Sequence, residues 1–308
     1  MIAVLEVTAP IYLLIILGFA TVRSGYIAPE TIRALGSFVI RVCIPALIFS
    51  AVMGPSTGLH WGLLLAYGGA SLGAFAAGLV IMRGLRCHAL ARAVISSLGM
   101  ANSNSGFMGY PIATQVIGAQ AAVPILACAM VVESMVMIPL ALALADAGAF
   151  PGESFPRAFG RALRALLRNP IVVGLVAGLA VNLSGLAMPG VVVSFLDFLV
   201  QAAPVVALYV VGGTVAAFPQ RGLSPDTILI AAGKLVLHPV LAFLLLSLVP
   251  GLPGEFLLGG VLFASVPMLS IFPIFGQRYG IESLTATTLV ATTTLSFVTV
   301  SLLILAFG

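Results

Sequence analysis

Charged residues are scarce in this chain. They make up 7% of its 308 residues, whereas hydrophobic residues make up 61% and the mean hydropathy is +1.23. An average soluble domain contains about 25% charged residues. Too few polar side chains are present to cover the surface of a water-soluble core, so the composition predicts an integral membrane protein.

Motifs of catalysis and metal binding are also missing. The three cysteines, Cys43, Cys87 and Cys128, have no metal or redox spacing, and their odd number argues against a disulfide framework. No phosphate-binding loop, nucleophile elbow, metal cluster or pair of carboxylates occurs. We therefore expect no catalytic residue, no metal site, no organic cofactor and no nucleic-acid partner. The sequence favours neither an enzyme nor an ATP-driven pump.

Long apolar runs are abundant instead. A membrane-spanning helix needs about 20 mostly apolar residues. Ten segments meet this requirement: 4–22, 35–54, 60–82, 94–117, 121–145, 170–187, 191–217, 227–249, 255–277 and 284–307. The sequence thus predicts an all-α polytopic membrane protein with ten transmembrane helices in the lipid bilayer.

Basic residues fall on one side of the membrane if ten spans are counted. The other loops contain neither lysine nor arginine. The basic residues of the loops after spans 1, 3, 5, 7 and 9 are Arg23, Arg33, Arg83, Arg86, Arg92, Arg157, Arg161, Arg164, Arg168, Arg221 and Arg278. Basic loops stay on the cytoplasmic side of a membrane. We therefore expect a bacterial inner-membrane protein with both termini on the external, periplasmic face.

Two short stretches match each other at the ends of spans 4 and 9, and each follows small polar residues in the middle of its span. They read P-I-A-T-Q-V-I-G at 111–118 and P-I-F-G-Q-R-Y-G at 273–280. Matched hydrophobic segments broken by glycine and proline, one in each half, are typical of secondary transporters. Five spans per half is an odd number, so the second half must cross the membrane in the opposite direction. We predict two inverted five-helix repeats, 1–146 and 170–308, a cytoplasmic linker at 147–169, and broken crossover helices 4 and 9.

The breaks predict the binding site. Unpaired backbone groups cost several kcal/mol each inside a bilayer unless they are used, and two half-helix N-termini that meet would attract an anion such as a carboxylate. The alternative is a pair of kinked structural helices. We expect substrate contacts from both breaks: Asn102, Ser103, Asn104, Ser105 and Gly106 in the first, and Ser265, Val266, Pro267 and Met268 in the second. Gly109, Pro111 and Pro273 would shape the crossover backbone.

Ionisable residues inside the spans are further candidates, because they are costly there and rarely idle. Glu133 in span 5 could carry a proton or bind a cation, or serve as a hydrogen-bonded structural residue. Lys234 and His238 lie one turn apart in span 8. Lys234 could balance a substrate carboxylate, pair with Glu133, or extend to the inner surface, and we favour the last interpretation.

The crossover residues resemble those of the auxin efflux carrier family. The stretch from Asn104 to Pro111 is similar to that family's N-x-x-x-x-G-x-P crossover, and Ala264–Pro267, followed by 275–279, is similar to its second crossover. The lack of a long central loop points to the short prokaryotic form, within the bile acid/auxin transporter superfamily.

The resemblance implies more than the residues themselves. It implies a scaffold of helices 1, 2, 6 and 7, which often forms a homodimer, and a moving transport domain of helices 3–5 and 8–10. It also implies that the substrates are organic anions such as malonate, malate or auxin-like indole acids, with Asn104 and Pro267 as contacts.

We therefore expect a secondary active transporter, or a uniporter, of small organic anions that works by elevator-type alternating access. Bile-acid sodium symporters usually carry an acidic residue at the second break, and residues 265–275 have none. Sodium coupling is thus not supported, although H⁺ or Na⁺ could still couple. The alternatives are a sodium-coupled symporter, a membrane receptor for carboxylates that does not transport them, and a channel.

Overall fold

The computed structural model describes residues 2–53, 60–150, 152–218 and 222–307, and this part of the chain is helical with no β-strand. The helices before the central linker are α1 Ile2–Arg23, α2 Pro29–Phe38, α3 Ile44–Met53, α4 Trp61–Leu79, α5 Leu90–Ala101, α6 Tyr110–Val131 and α7 Ile138–Ala149. The linker contains α8 Phe155–Leu166. After it come α9 Pro170–Ser184, α10 Gly190–Ala217, α11 Pro225–Ala232, α12 His238–Ser247, α13 Gly254–Ser265, α14 Phe272–Arg278 and α15 Glu282–Phe307.

Six helical segments of the described residues are long and apolar enough to cross a membrane, and α8 and α9, bent by 55°, could form a seventh. The six are Pro29–Met53, Trp61–Leu85, Leu90–Ala149, Gly190–Ala217, Pro225–Ser247 and Glu282–Phe307. The 60-residue segment contains predicted spans 4 and 5. A polytopic helical membrane protein is thereby confirmed. Met1, Gly308 and Arg221, which entered the orientation argument, lie outside the described residues.

Prolines explain why several helices contain widened, π-helical turns. Four such turns, Val39–Cys43, Ser105–Gly109, Val132–Met137 and Gly233–Leu237, each end two residues before a proline. Proline lacks a backbone N–H and its ring clashes with the carbonyl group one turn earlier, so the preceding turn opens. A fifth π-helical turn, Val80–Leu85, has no proline after it. Widened turns often occur at functional sites, and three of the four proline-linked turns hold Ser105, Glu133 and Lys234.

Glycines allow two close helix crossings. A Cβ atom at Gly174 of α9 would lie 2.6 Å from the carbonyl oxygen of Pro45, and one at Gly178 would lie 2.7 Å from that of Phe49. A Cβ atom at Gly212 of α10 would collide with the carbonyl oxygen of Ile15 in α1. Small residues let helix backbones approach in membranes, where packing and not water exclusion drives helix association. Accordingly, α3 packs along α9 and α1 packs along α10.

The two matched sequence stretches share a backbone conformation. Pro111 and Pro273 are each the second residue of a helix, α6 and α14. The last glycine of each stretch has a left-handed backbone, with φ of 78° at Gly118 and 71° at Gly280. An L-residue with a side chain rarely adopts a positive φ, so both stretches end on a backbone conformation that favours glycine.

A polar stripe on α15 faces protein, as the helical spacing of these residues predicts. Thr285, Thr288, Thr292 and Ser296 are all fully buried. The hydroxyl groups of Thr288 and Thr292 donate to carbonyl groups of their own helix at 2.7 and 2.8 Å. The Thr292 hydroxyl also lies 3.8 Å from Met268 Sδ in the second break, so the stripe contacts the broken span 9 as well as its own preceding turn.

A first buried aspartate, Asp226 at the start of α11, joins the two halves of the chain. Its carboxylate accepts hydrogen bonds from Arg86 Nε at 2.9 Å and Arg92 Nη2 at 2.8 Å. The ring nitrogen Nε2 of His88 lies 2.8 Å from the same carboxylate. His88 therefore contributes to the cluster of side chains around Asp226.

A second buried aspartate, Asp146 at the end of α7, also joins the two halves of the chain. Arg278 Nη2 lies 2.8 Å from both carboxylate oxygens, Arg161 Nη2 lies 3.4 Å from one of them, and the Tyr279 hydroxyl donates at 2.7 Å. Burial and the hydrogen bond to Asp146 raise the pKa of Tyr279, so its hydroxyl remains a donor at neutral pH.

Both aspartate clusters lie at one end of the helix bundle. The start of α5 contacts the end of α7, because a Cβ atom at Gly148 would lie 2.9 Å from Leu90 Cβ. We call this the basic end, since four arginines gather there: Arg86, Arg92, Arg161 and Arg278. Basic residues from the loops after spans 3, 5 and 9 thus come together at one end.

Candidate functional site

The two predicted breaks meet inside the helix bundle. Helix α5 ends at Ala101, and non-helical residues connect it to the widened turn that begins at Ser105. Residues 266–271 likewise separate α13 from α14. The backbone N–H of Asn104 donates a 2.8 Å hydrogen bond to the carbonyl oxygen of Pro267. The side-chain amide of Asn104 donates to Ser270 Oγ, also at 2.8 Å.

Asn104 organises the first break with its backbone as well as its side chain. Its carbonyl oxygen accepts hydrogen bonds from the N–H groups of Met108 and Gly109 at 2.9 and 3.0 Å. At Gly109 any Cβ atom would come within 2.8 Å of the Phe263 ring in α13. The glycine therefore lets the two broken helices approach, as its predicted role in the crossover requires.

A cavity of about 280 Å³ opens beside this crossing. Its polar lining consists of Asn104, Ser134, Asn169 and Ser270, and apolar side chains from α3, α7, α8 and the second break complete it. No lysine or arginine lines it. We call it the crossover cavity. It is large enough for a small organic molecule but offers that molecule few polar partners.

The predicted substrate residues occupy different positions around this cavity. Asn104 and Gly106 line it. The other candidates are not among its lining residues, and the second break contributes Leu269, Ser270 and Ile271 in their place. The predicted substrate residues that do not line the cavity are Asn102, Ser103, Ser105, Ser265, Val266, Pro267 and Met268.

Glu133 anchors one end of a buried polar network. Tyr67 donates a 2.9 Å hydrogen bond to Glu133 Oε1, and the hydroxyl of Ser105 donates to the same oxygen. The hydroxyl oxygens of Tyr67 and Ser103 are 3.4 Å apart. All four side chains are at most 1% exposed. Hydroxyl groups thus link the first break to the carboxyl group of Glu133, which lies in the widened turn before α7.

Lys234 forms the other end of this network. Its ammonium group donates to Ser103 Oγ at 2.8 Å and to the carbonyl oxygen of Ala264, and it lies 3.0 Å from His238 Nδ1. The second ring nitrogen of His238 lies 3.1 Å from Ser71 Oγ. Lys234 is fully buried, so the favoured interpretation that it extends to the membrane surface is wrong. Its partners come instead from the first break and from the end of α13.

The sequence did not predict Ser270 as a site residue, nor Tyr67 and Ser71 of α4. Tyr67 and Ser71 are buried, and they join Glu133 and His238 to the network. A signal was present in the sequence, because two polar residues one helical turn apart stand alone in the interior of an otherwise apolar span. Their partners could not be read from that spacing.

Comparison with known proteins identifies the chain's relatives. Residues 3–304 match the family described as "Membrane transport protein". The chain belongs to this family. The match confirms the resemblance to the auxin efflux carriers, and it indicates a transporter and not an enzyme.

One curated relative of this transporter is a protein of Rhizobium meliloti (strain 1021). It is named "Putative malonate transporter" and is 31% identical over 296 residues. The alignment covers 95% of this chain and 92% of the relative. The similarity therefore extends over both halves and includes both breaks.

Several buried polar atoms of the transporter have no hydrogen bond of normal geometry within the described residues. They include Glu133 Oε2 and both side-chain amide atoms of Asn102. An unsatisfied buried polar atom costs about 1–3 kcal/mol, so such atoms mark places for a proton, a water molecule or a ligand. Among the described residues, no group of three or more His, Cys, Asp or Glu side chains could hold a metal ion.

Proposed function

We propose that this chain is a secondary transporter, or a uniporter, that carries small organic anions across the membrane by elevator-type alternating access. The proposal is carried by the hydrogen bond between Asn104 and Pro267, which joins two broken helices beside a cavity. Such breaks are tolerated in a membrane where they line a site. Family membership and the similarity to a protein named as a malonate transporter support an organic anion as the substrate.

The substrate's carboxylate would bind between the two breaks. Asn104 gives one amide hydrogen to Ser270, which leaves its second amide hydrogen and the hydroxyl hydrogen of Ser270 for a carboxylate oxygen. The remaining wall is apolar and would hold the carbon skeleton. The other residues of the breaks, from Asn102 to Gly106 and from Ser265 to Met268, would fix the backbone that presents these two donors.

The proposed architecture has ten spans in two inverted repeats, 1–146 and 170–308, joined by the linker 147–169. In that arrangement span 1 is equivalent to span 6 and span 2 to span 7. The packing of α1 on α10 and of α3 on α9 supports it, because these two pairs are then equivalent to each other. The shared conformation of 111–118 and 273–280 supports it independently.

Spans 3–5 and 8–10 would move as one transport domain against a scaffold of spans 1, 2, 6 and 7. The aspartate clusters support this division. Asp226 binds Arg86 and Arg92, and Asp146 binds Arg278, so these contacts hold the proposed moving elements together and leave them free of the scaffold. The scaffold presents exposed apolar side chains such as Leu183 and Phe198, which suit lipid or a homodimer partner.

Coupling to protons would involve Glu133. A charged carboxylate is costly in an apolar interior when one of its oxygens lacks a partner, so proton binding there would respond to changes around the site. The Lys234 side chain already donates hydrogen bonds to Ser103 and to the carbonyl oxygen of Ala264, which reduces the need for a sodium ion there. We therefore favour proton coupling, or uniport, in a bacterial inner membrane with both termini outside.

Counterflow tests the function directly. Purified protein in liposomes is loaded with unlabelled malonate or another organic acid, and uptake of labelled malonate or indole-3-acetate is followed over time. A transporter gives a transient accumulation that internal acid stimulates. Binding without accumulation would indicate a receptor, and an absolute sodium requirement would indicate a symporter of the bile-acid type. Either result would contradict the proposal.

A further inference from the structure

A second cavity lies next to the crossover cavity. It has a volume of about 710 Å³ and is bounded by α2 and the widened turn after it, the end of α10, and α14. The two cavities share four lining residues: Ile40, Phe107, Ser270 and Ile271. We call the second cavity the vestibule. A molecule that leaves it past these shared side chains arrives at Asn104.

The vestibule is positively charged, whereas the crossover cavity is not. Arg33 and Arg41 line it, with Glu282 as the acidic residue of the lining. No carboxylate lies within ion-pair distance of either arginine among the described residues. The arginines of the aspartate clusters, in contrast, all have acidic partners. Positive charge at the basic end is therefore left unneutralised where the vestibule opens.

Polar side chains continue from these arginines toward the shared wall. Ser37, Thr214 and Gln277 line the vestibule, and Ser270 belongs to both cavities. Gln277 precedes Arg278, which places the vestibule at the basic end. Arg41 lies within predicted span 2. The cavity offers its guanidinium group a route to water that does not run through lipid.

We propose that Arg33 and Arg41 form a recruiting site for carboxylates, where an anion binds before it passes Phe107 and Ile271 to reach Asn104 and Ser270. This inference rests on the proposed function. A guanidinium group binds a carboxylate through two parallel hydrogen bonds. Positive charge in a cleft with apolar walls raises the local concentration of anions and the rate at which they associate. The crossover cavity lacks a lysine or arginine, so the vestibule supplies the attraction that brings an anion to it.

Binding by the purified protein tests the proposal. Wild type and the double variant R33Q/R41Q are placed in nanodiscs of phosphatidylcholine, and binding of labelled malonate and of indole-3-acetate is measured from low to high salt. We expect the double variant to raise Kd about tenfold at low salt and to flatten the dependence on salt. The control is R157Q/R168Q, which removes the same charge from exposed arginines that line neither cavity. It should change Kd less than twofold.

Several results would overturn the inference. One is an unchanged Kd and salt dependence in R33Q/R41Q, and another is an equal effect of the two double variants, which would indicate a general surface potential. An effect that appears only when phosphatidylglycerol replaces phosphatidylcholine would show that the arginines bind an anionic lipid headgroup. Wild-type protein that binds no organic acid would contradict the proposed function itself, whereas wild-type binding that depends on Asn104 alone would contradict the vestibule only.

Uptake from the two sides of the membrane gives a second, independent measurement. Whole cells and everted vesicles present opposite faces of the protein to labelled malonate. Because the vestibule lies at one end of the bundle, R33Q/R41Q should raise KM about tenfold on one side only, with the maximal rate unchanged. An equal change on both sides would assign the arginines a structural role.

Discussion

The ammonium group of Lys234 donates a 2.8 Å hydrogen bond to the hydroxyl of Ser103, 131 residues earlier in the chain. The same ammonium group donates to the carbonyl oxygen of Ala264, just before the second break. One buried side chain therefore connects both interruptions. It satisfies a backbone carbonyl group that the broken helix leaves free.

Replacing Lys234 with methionine should destabilise the protein strongly. The substitution keeps most of the length of the side chain but leaves Ser103, His238 and the carbonyl group of Ala264 without their donor. Removing one member of a buried charged network costs about 3–5 kcal/mol. A lower thermal unfolding temperature in detergent would show it. Arg23→Met, at an exposed position, is the control, and equal stability of the two variants would contradict the role assigned to Lys234.

Asn104→Ala should abolish binding of organic acids while the protein stays folded. The variant removes the amide that lines the crossover cavity and bonds to Ser270, but it keeps the backbone hydrogen bond to Pro267. Ligand-induced thermal stabilisation by malonate is the measurement, and Asn182→Ala in α9 is the matched control. Unchanged uptake in proteoliposomes by Asn104→Ala would remove this residue from the site.

Glu133→Gln should remove the dependence of transport on a pH gradient. Glutamine keeps the acceptor oxygen that Tyr67 and Ser105 use, so the network can form, but it cannot bind or release a proton. Initial uptake rates are compared with and without an imposed gradient at constant membrane potential. If the variant still responds to the gradient as wild type does, Glu133 is not the proton carrier.

Gly174→Ala should weaken the packing of α3 on α9. The new methyl group would lie 2.6 Å from the Pro45 carbonyl oxygen, so the helices must separate, at a cost of about 1–3 kcal/mol. Gly160→Ala in α8 is the matched control, because nothing lies within 4 Å of a Cβ atom there. Alanine is also the better helix former, by about 0.5–1 kcal/mol, so the control should be neutral or stabilising. Thermal unfolding of both variants decides the point.

Sequence patterns predicted the membrane class, the two breaks and their matched prolines. These features are local, since hydropathy and proline act on the residues beside them. Ser103 was named as a site residue for the same reason. Patterns could not show that Lys234 turns inward to bond with it. A lysine two helical turns from a surface can satisfy its charge in either direction, and only the partners brought by other helices favour the buried one.

By itself, the sequence determined that this protein lies in a membrane, that its helices break at two matched places, and which small polar residues occur there. The tertiary structure decided which of them line a cavity. It placed Ser270 there in preference to Pro267, and it connected Glu133, Tyr67 and Lys234 through Ser103. The physical reason is distance: hydrogen bonds and ion pairs form within a few ångströms, and helix packing alone brings such distant parts of the chain that close.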